Sequence, residues 1–186
     1  MTQTLDSTDL ANILASALAE QSHLLQQILL KLDRPQLGFH YGGGPLRVYC
    51  NRSNGGLWYT MAGDQPQLIP QTALTGYLKE ISFPKVERRG KECIKLQAVI
   101  VGDRPYILEA GHDSHFSKGF LSAVALLLPA QVSQPLTIAP QAGEDEAVLF
   151  CRVYSGGSLV KGPYDEGTDF RLVAQAAIAA VRGSQR

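Results

Sequence analysis

The sequence predicts a mainly β domain with flanking helices, and three patterns carry that expectation. Apolar and polar residues alternate along 91–101 and again along 147–154, the period of half-buried strands. Apolar residues recur at alternating spacings of three and four through 7–32, the period of a helix. Between residues 75 and 154 the turn and cap signals divide the chain into the order β-β-β-α-β-β.

The first element is the helix over 7–32, which Asp6 or Ser7 caps. Ala11, Leu14, Leu18, Gln21, Leu25, Ile28 and Leu32 form a coiled-coil seam with one polar position at Gln21. Leu24 and Leu29 widen the stripe, so it serves either self-association or packing on the chain's own domain. Asp33-Arg34-Pro35 ends it, because proline restricts the residue before it. Residues 1–36 therefore read as an N-terminal amphipathic helix. Leu14, Leu18, Leu25, Ile28 and Leu32 are its oligomerisation residues, and the expected partner is a second copy of the chain.

Residues 37–165 read as the β domain. Leu46–Asn51 and Leu57–Met61 flank Arg52-Ser53-Asn54-Gly55-Gly56 as a hairpin, followed by a proline-containing loop over 64–70. A long strand over 75–87 turns at Arg89-Gly90 into 91–101, turns again at Gly102-Asp103-Arg104 and continues through 106–110. Neither parity of 75–87 is cleanly apolar, which calls for a bulge near Ser82. A helix follows, capped by Asp113 or Ser114, with Phe116, Phe120, Leu121, Val124 and Leu127 on its buried face and Pro129 as its stop. Strands over 136–139 and 147–154 flank the acidic loop 143–146. Residues 166–186 carry an amphipathic helix over 168–181, with Thr168 as N-cap, and a frayed end.

Composition narrows the function. With 45% hydrophobic and 18% charged residues the chain is ordered and globular. Cys50, Cys93 and Cys151 are odd in number and lie in apolar runs, which suggests buried thiols in a reducing compartment. The apolar run 123–129 is too short for a bilayer, and the first residues are polar, so the expectation is a cytoplasmic protein away from membranes. Seventeen basic residues balance seventeen acids, which removes whole-domain charge as an argument for nucleic acid. Distribution restores it. Residues 75–102 carry six basic residues against Glu80, Glu87 and Glu92, whereas 140–170 carry six acids against Arg152 and Lys161.

The order β-β-β-α-β-β with its long first strand, and the hairpin sequence RRGKECIKLQAVIV, resemble the OB-fold. In particular they are similar to the single-stranded-DNA-binding proteins of phage and plasmid type. The resemblance spans about eighty residues. It implies a Greek-key barrel, preceded here by a β-hairpin and the N-terminal helix, that binds single-stranded nucleic acid without catalysis or cofactor. The acidic, phenylalanine-ended tail of the bacterial proteins does not follow residue 181.

Residue patterns nominate the contacts. In 91–101 the even positions Ile94, Leu96, Ala98 and Ile100 face a core, which puts Lys91, Lys95 and Gln97 on the other side. In 147–154 Leu149, Cys151 and Val153 are the core set, so Phe150, Arg152 and Tyr154 line an outward face. Two rings flanking a guanidinium suit unpaired bases and phosphate, unless protein covers the face. Tyr77, Phe83 and Lys85 are candidates on the long strand, with Arg88, Arg89 and Lys91 at the tip. Arg47, Tyr49, Arg52, Trp58 and Tyr59 form a second aromatic-basic group in the first hairpin. Enzyme signatures are missing: there is no Walker-type loop, no Gly-x-Ser-x-Gly and no His-Glu-x-x-His. His112-Asp113-Ser114-His115 has metal-ligand chemistry but reads more simply as a helix N-terminus. The alternative function is a protein-interaction module of the same fold, working through its N-terminal helix.

Overall fold

The computed structural model describes residues 7–32, 44–88 and 90–185. Its contacts divide into two units, 1–42 and 43–186. The first contains α1 (Ser7–Leu32), and every described side chain from Leu14 to Gln27 is exposed. No helix among the described residues is long and apolar enough to cross a membrane.

The second unit is one ten-stranded sheet with helices. In chain order it runs β1 (Leu46–Tyr49), β2 (Tyr59–Ala62), β3 (Gln65–Leu68), β4 (Leu74–Ser82), β5 (Lys85–Arg88), β6 (Lys91–Val101) and β7 (Pro105–Gly111). Then come α2 (His115–Ala125), α3 (Pro129–Val132), β8 (Leu136–Ala142), β9 (Leu149–Ser155), β10 (Ser158–Val160) and α4 (Phe170–Gly183). The strand order is β10-β9-β8-β4-β6-β7-β1-β2-β3, with β5 paired to β6. Every pairing is antiparallel except β1 with β7. The sheet is open. No pairing among the described residues joins β7 to β9, so the closed barrel that the resemblance implies is not formed.

Helix α2 lies instead against β9 and touches β7, the two strands that closure would pair. Glycine permits this. A Cβ at Gly119 would lie 2.9 Å from the carbonyl oxygen of Cys151, an atom that cannot give way. Ser114 starts the helix, its hydroxyl accepting from the Ser117 N–H at 3.2 Å. Phe116, Phe120, Leu121 and Val124 then enter a core made with Leu96, Ala98 and Ile100 of β6 and Leu108 of β7. Helix α4 packs on α2, α3 and β4, and adds Ala177 and Val181 to the same core.

Local sequence misplaced several elements. The run 75–87 is two strands, because Pro84 has no N–H to donate and restricts Phe83. Its bulge lies between Leu78 and Glu80, not near Ser82, and brings Leu78 and Ile81 to one buried face three residues apart. Ile94 is 36% exposed rather than core, since it pairs with Lys85 in the β5–β6 arm, short of where β7 joins. Residues 65–68 form an edge strand, which tolerates Pro66 because its outer side needs no ladder bond. Pro129 opens α3 as its first residue instead of simply ending α2. Asp169, not Thr168, caps α4, its carboxylate accepting from Arg171 N–H at 2.9 Å and Leu172 N–H at 3.2 Å.

The α2–β9 contact gives a direct test. Gly119→Val should destabilise the chain by about 1–3 kcal/mol, because a branched side chain meets main chain. The denaturant midpoint should fall at an unchanged slope. An unchanged midpoint would mean that α2 does not rest on the β9 backbone.

Candidate nucleic-acid interface

The expected faces can now be placed. β9 alternates as predicted: Leu149, Cys151 and Val153 are buried, Phe150 and Arg152 are exposed and Tyr154 is half-buried. Arg152 Nε donates to Gln141 Oε1 on β8. Beside this face lies a groove of about 850 Å³, lined among others by Gly143, Phe150, Arg152, Lys161, Gly162 and Tyr164. His115, from the first turn of α2, fills the space between two of its rings. It sits 5.3 Å from the Phe150 ring and 6.1 Å from that of Tyr164, whose hydroxyl hydrogen-bonds His115 Nδ1. Tyr164 meets Phe170 edge-on at 5.9 Å. Lys118 Nζ lies 5.1 Å over Phe170 and 2.7 Å from Asp113. The result is a row of four rings, Phe150–His115–Tyr164–Phe170, with cations at Arg152, Lys161 and Lys118.

The groove is not uniformly basic. Glu144 and Asp145 also line it, from a loop whose Gly143 lies close to the Phe150 ring. Their loop is tied down from β1's end: Arg52 donates to the carbonyls of Gly143 at 3.3 Å and Asp145 at 2.9 Å. Burial raises the Tyr164 phenol above its ordinary range, with Lys118 opposing and Asp113 adding to the effect. Lys118 holds the Asp113 carboxyl below its usual range. The Ser122 hydroxyl at the groove's floor is buried without a protein partner.

The aromatic-basic group of the first hairpin is used for packing. Trp58 is 2% exposed and donates its indole N–H to the Gln71 carbonyl at 2.7 Å. Tyr59 is 7% exposed and stacks on Tyr49 with centroids 5.1 Å apart. Arg47 pairs with the buried carboxylate of Glu109, which also accepts from Gln97 Nε2 at 3.0 Å. Trp58 and Tyr59 are therefore not open platforms for bases, and Arg47 already has an anion.

The remaining candidates are scattered. Tyr77 is 44% exposed, with Lys79 Nζ 5.4 Å over its ring. Phe83 packs partly against the core. Lys85 pairs with Glu92 at 2.6 Å in the open, and Lys95 is half-buried. Tyr77 aligns with Val101, six residues along β6 from Lys95, roughly 20 Å at the strand rise, so they share no pocket. At the tip, Gly90 takes the positive φ of a tight turn, and Arg88 aligns with Lys91 in the backbone register. The side chains of Arg88 and Lys91, and all of Arg89, lie outside the described residues, as do those of Ile28 and Leu32 in α1.

Sequence reasoning missed Tyr164, Phe170, Lys118 and Lys161, and named His115 only for a metal cluster. Those four chain neighbours diverge: His112 Nδ1 hydrogen-bonds the Ile94 carbonyl, Asp113 holds Lys118, Ser114 caps α2 and His115 joins the groove. Tyr164 sits in a segment without periodicity, 49 residues from its His115 partner, so no local signal could have found it. No protein-family model, curated protein or solved structure matches this chain.

The thiols behave differently by position. Burial drives the Cys50 and Cys151 thiols far above their ordinary range; both belong to the core, Cys50 within it and Cys151 at its edge, where it also lines the groove. Cys93 is half-buried, donating to the Val86 carbonyl at 3.4 Å. At neutral pH a disulfide reagent should modify one thiol of the native chain, Cys93, and the other two only on unfolding. Native labelling of Cys50 or Cys151 as fast as Cys93 would show that the core opens there.

Proposed function

We propose that this chain is a non-catalytic binder of single-stranded nucleic acid, DNA foremost, built on an open OB-type sheet. What supports the fold reading is connectivity. β4–β6, β6–β7, β4–β8 and β8–β9 are four of the five pairings that order an OB barrel, and such barrels are often partly open. The observation that carries the function is the ring row beside β9. Phe150 and Tyr164 offer faces and edges to unpaired bases, while Arg152 and Lys161 lie within reach of the connecting phosphates. Stacking is indifferent to base identity, which fits binding with little sequence preference. Glu144 and Asp145 line the same groove and repel phosphates from their part of it.

The β5–β6 arm is the second contact in this reading, through Arg88, Arg89 and Lys91. Solvent-screened charge contributes little to stability, so removal of these three cations is a clean probe.

Anisotropy titration of labelled oligo-dT at two salt concentrations tests the proposal. Phe150→Ala and Tyr164→Ala should each weaken binding by about 1–3 kcal/mol with the melting temperature retained. Arg152→Gln, and separately alanine at all three tip positions, should flatten the salt dependence. No binding at low salt would end the proposal. A sharp loss of melting temperature or a change of solution mass in the ring variants would instead make this face a protein contact. That outcome would favour the alternative, an interaction module of the same fold, for which the exposed leucines of α1 are the supporting observation.

A further inference from the structure

We infer that His115 supplies the groove with a third phosphate contact, made only when both of its ring nitrogens carry a proton, so that mild acid tightens the hold on a strand. The inference rests on the binding reading above and adds a control to it.

Geometry places His115 inside the ring row. It is exposed, it opens α2, and its ring stands 5.3 Å from that of Phe150 and 6.1 Å from that of Tyr164. The permanent cations lining the same groove are Arg152 and Lys161. Histidine is the side chain whose charge changes near neutral pH, so this position offers a stacking ring that becomes a cation in acid. The positive end of α2, which begins at His115, draws an anion to the same place.

The hydrogen bond to Tyr164 says what a proton changes. In the neutral ring Nδ1 accepts from the Tyr164 hydroxyl, which leaves the ring N–H at Nε2. Proton uptake at Nδ1 reverses that bond. The ring then donates to the phenol oxygen, and the Tyr164 O–H is released to donate elsewhere. One proton from solvent thus creates a cation and frees a second donor beside it. Tyr164 keeps its own proton throughout, since burial raises the phenol above its ordinary range.

The neighbouring charges leave this role to His115. On α2, Asp113 is taken by Lys118 at 2.7 Å, and Lys118 itself lies over Phe170. His112 turns its Nδ1 to the Ile94 carbonyl, outside the groove lining. From β9 come Arg152 and the Cys151 thiol, which burial keeps uncharged. The segment after β10 brings Lys161, and the loop before β9 brings Glu144 and Asp145. A phosphate among Arg152, Lys161 and a protonated His115 meets three like charges that otherwise repel one another. Strand and proton therefore favour each other, whichever arrives first.

The experiment compares affinity for labelled oligo-dT at about pH 8 and about pH 5.5, on either side of the usual imidazole range. The native chain should bind roughly tenfold tighter at the lower pH, the worth of a charged hydrogen bond. Its salt slope should steepen there by about 0.7, for one added phosphate. In His115→Phe, which keeps a ring, and in His115→Gln, which keeps a polar group, the two affinities should become equal. His112→Gln should retain the full gain. Equal affinities in the native chain overturn the inference and leave the binding reading standing. A gain that survives in both His115 variants also overturns it, and assigns the effect to relief of repulsion from Glu144 and Asp145. Absence of binding at both pH values in low salt overturns the binding reading, and this inference with it.

Discussion

Everything in the β unit leans on the place where α2 lies on the bare backbone of β9. A sheet with this strand order must either pair β7 with β9 or cover the gap between them, because unpaired buried backbone groups are costly. Gly119 makes covering possible: it lets the helix axis approach Cys151 closely enough for Phe116, Phe120 and Val124 to fill the interior. The same approach decides the surface. With Ser114 capping the helix, the next residue, His115, emerges beside Phe150, and the ring row begins there. Core and candidate site are therefore two consequences of one helix position.

The opposite side of the sheet shows how the same residue types serve stability. Arg47, Gln97 and Glu109 come from three adjacent strands, and Glu109, whose carboxylate the other two share, is 6% exposed. A buried carboxylate is tolerable only when paired, and leaving it alone would cost several kcal/mol. Arg47 answers that need, so it is a structural cation. Trp58 is similar: once its indole N–H has a carbonyl acceptor, burying the ring is favourable. Residue type nominated both for binding; burial and partners assign them to the fold.

What was legible in the sequence was whatever depends on neighbours in the chain. The faces of β9 and most of β6 follow from alternation, and the face of α2 from its three-and-four spacing. The parallel β1–β7 pair and the Trp58 pocket are made by segments distant in sequence, which leave no periodic trace. Ile94 fits its strand's pattern yet is exposed, because alternation says which side a residue faces and not whether anything lies there. The groove was half legible for the same reason. Phe150 and Arg152 belong to a pattern, whereas Tyr164 and Phe170 are brought in by the loop after β10 and the start of α4.

Charge limits how strongly the proposed groove can hold a strand. A chain with balanced charge has few cations to give any one site, and the groove offers chiefly Arg152 and Lys161. Two phosphate contacts in the groove give it a salt slope of only about −1.4 on a single strand, so within the groove stacking must supply most of the binding, and the tip cations of the β5–β6 arm carry the rest of the salt dependence in this reading. A few stacked rings at about 1–3 kcal/mol each give weak binding per site once the ordering of the strand is subtracted. Weak sites become effective when several are held on one particle, because after the first engages a strand the rest bind at high local concentration. In the proposed reading, a neutral, sparsely cationic groove keeps each contact reversible.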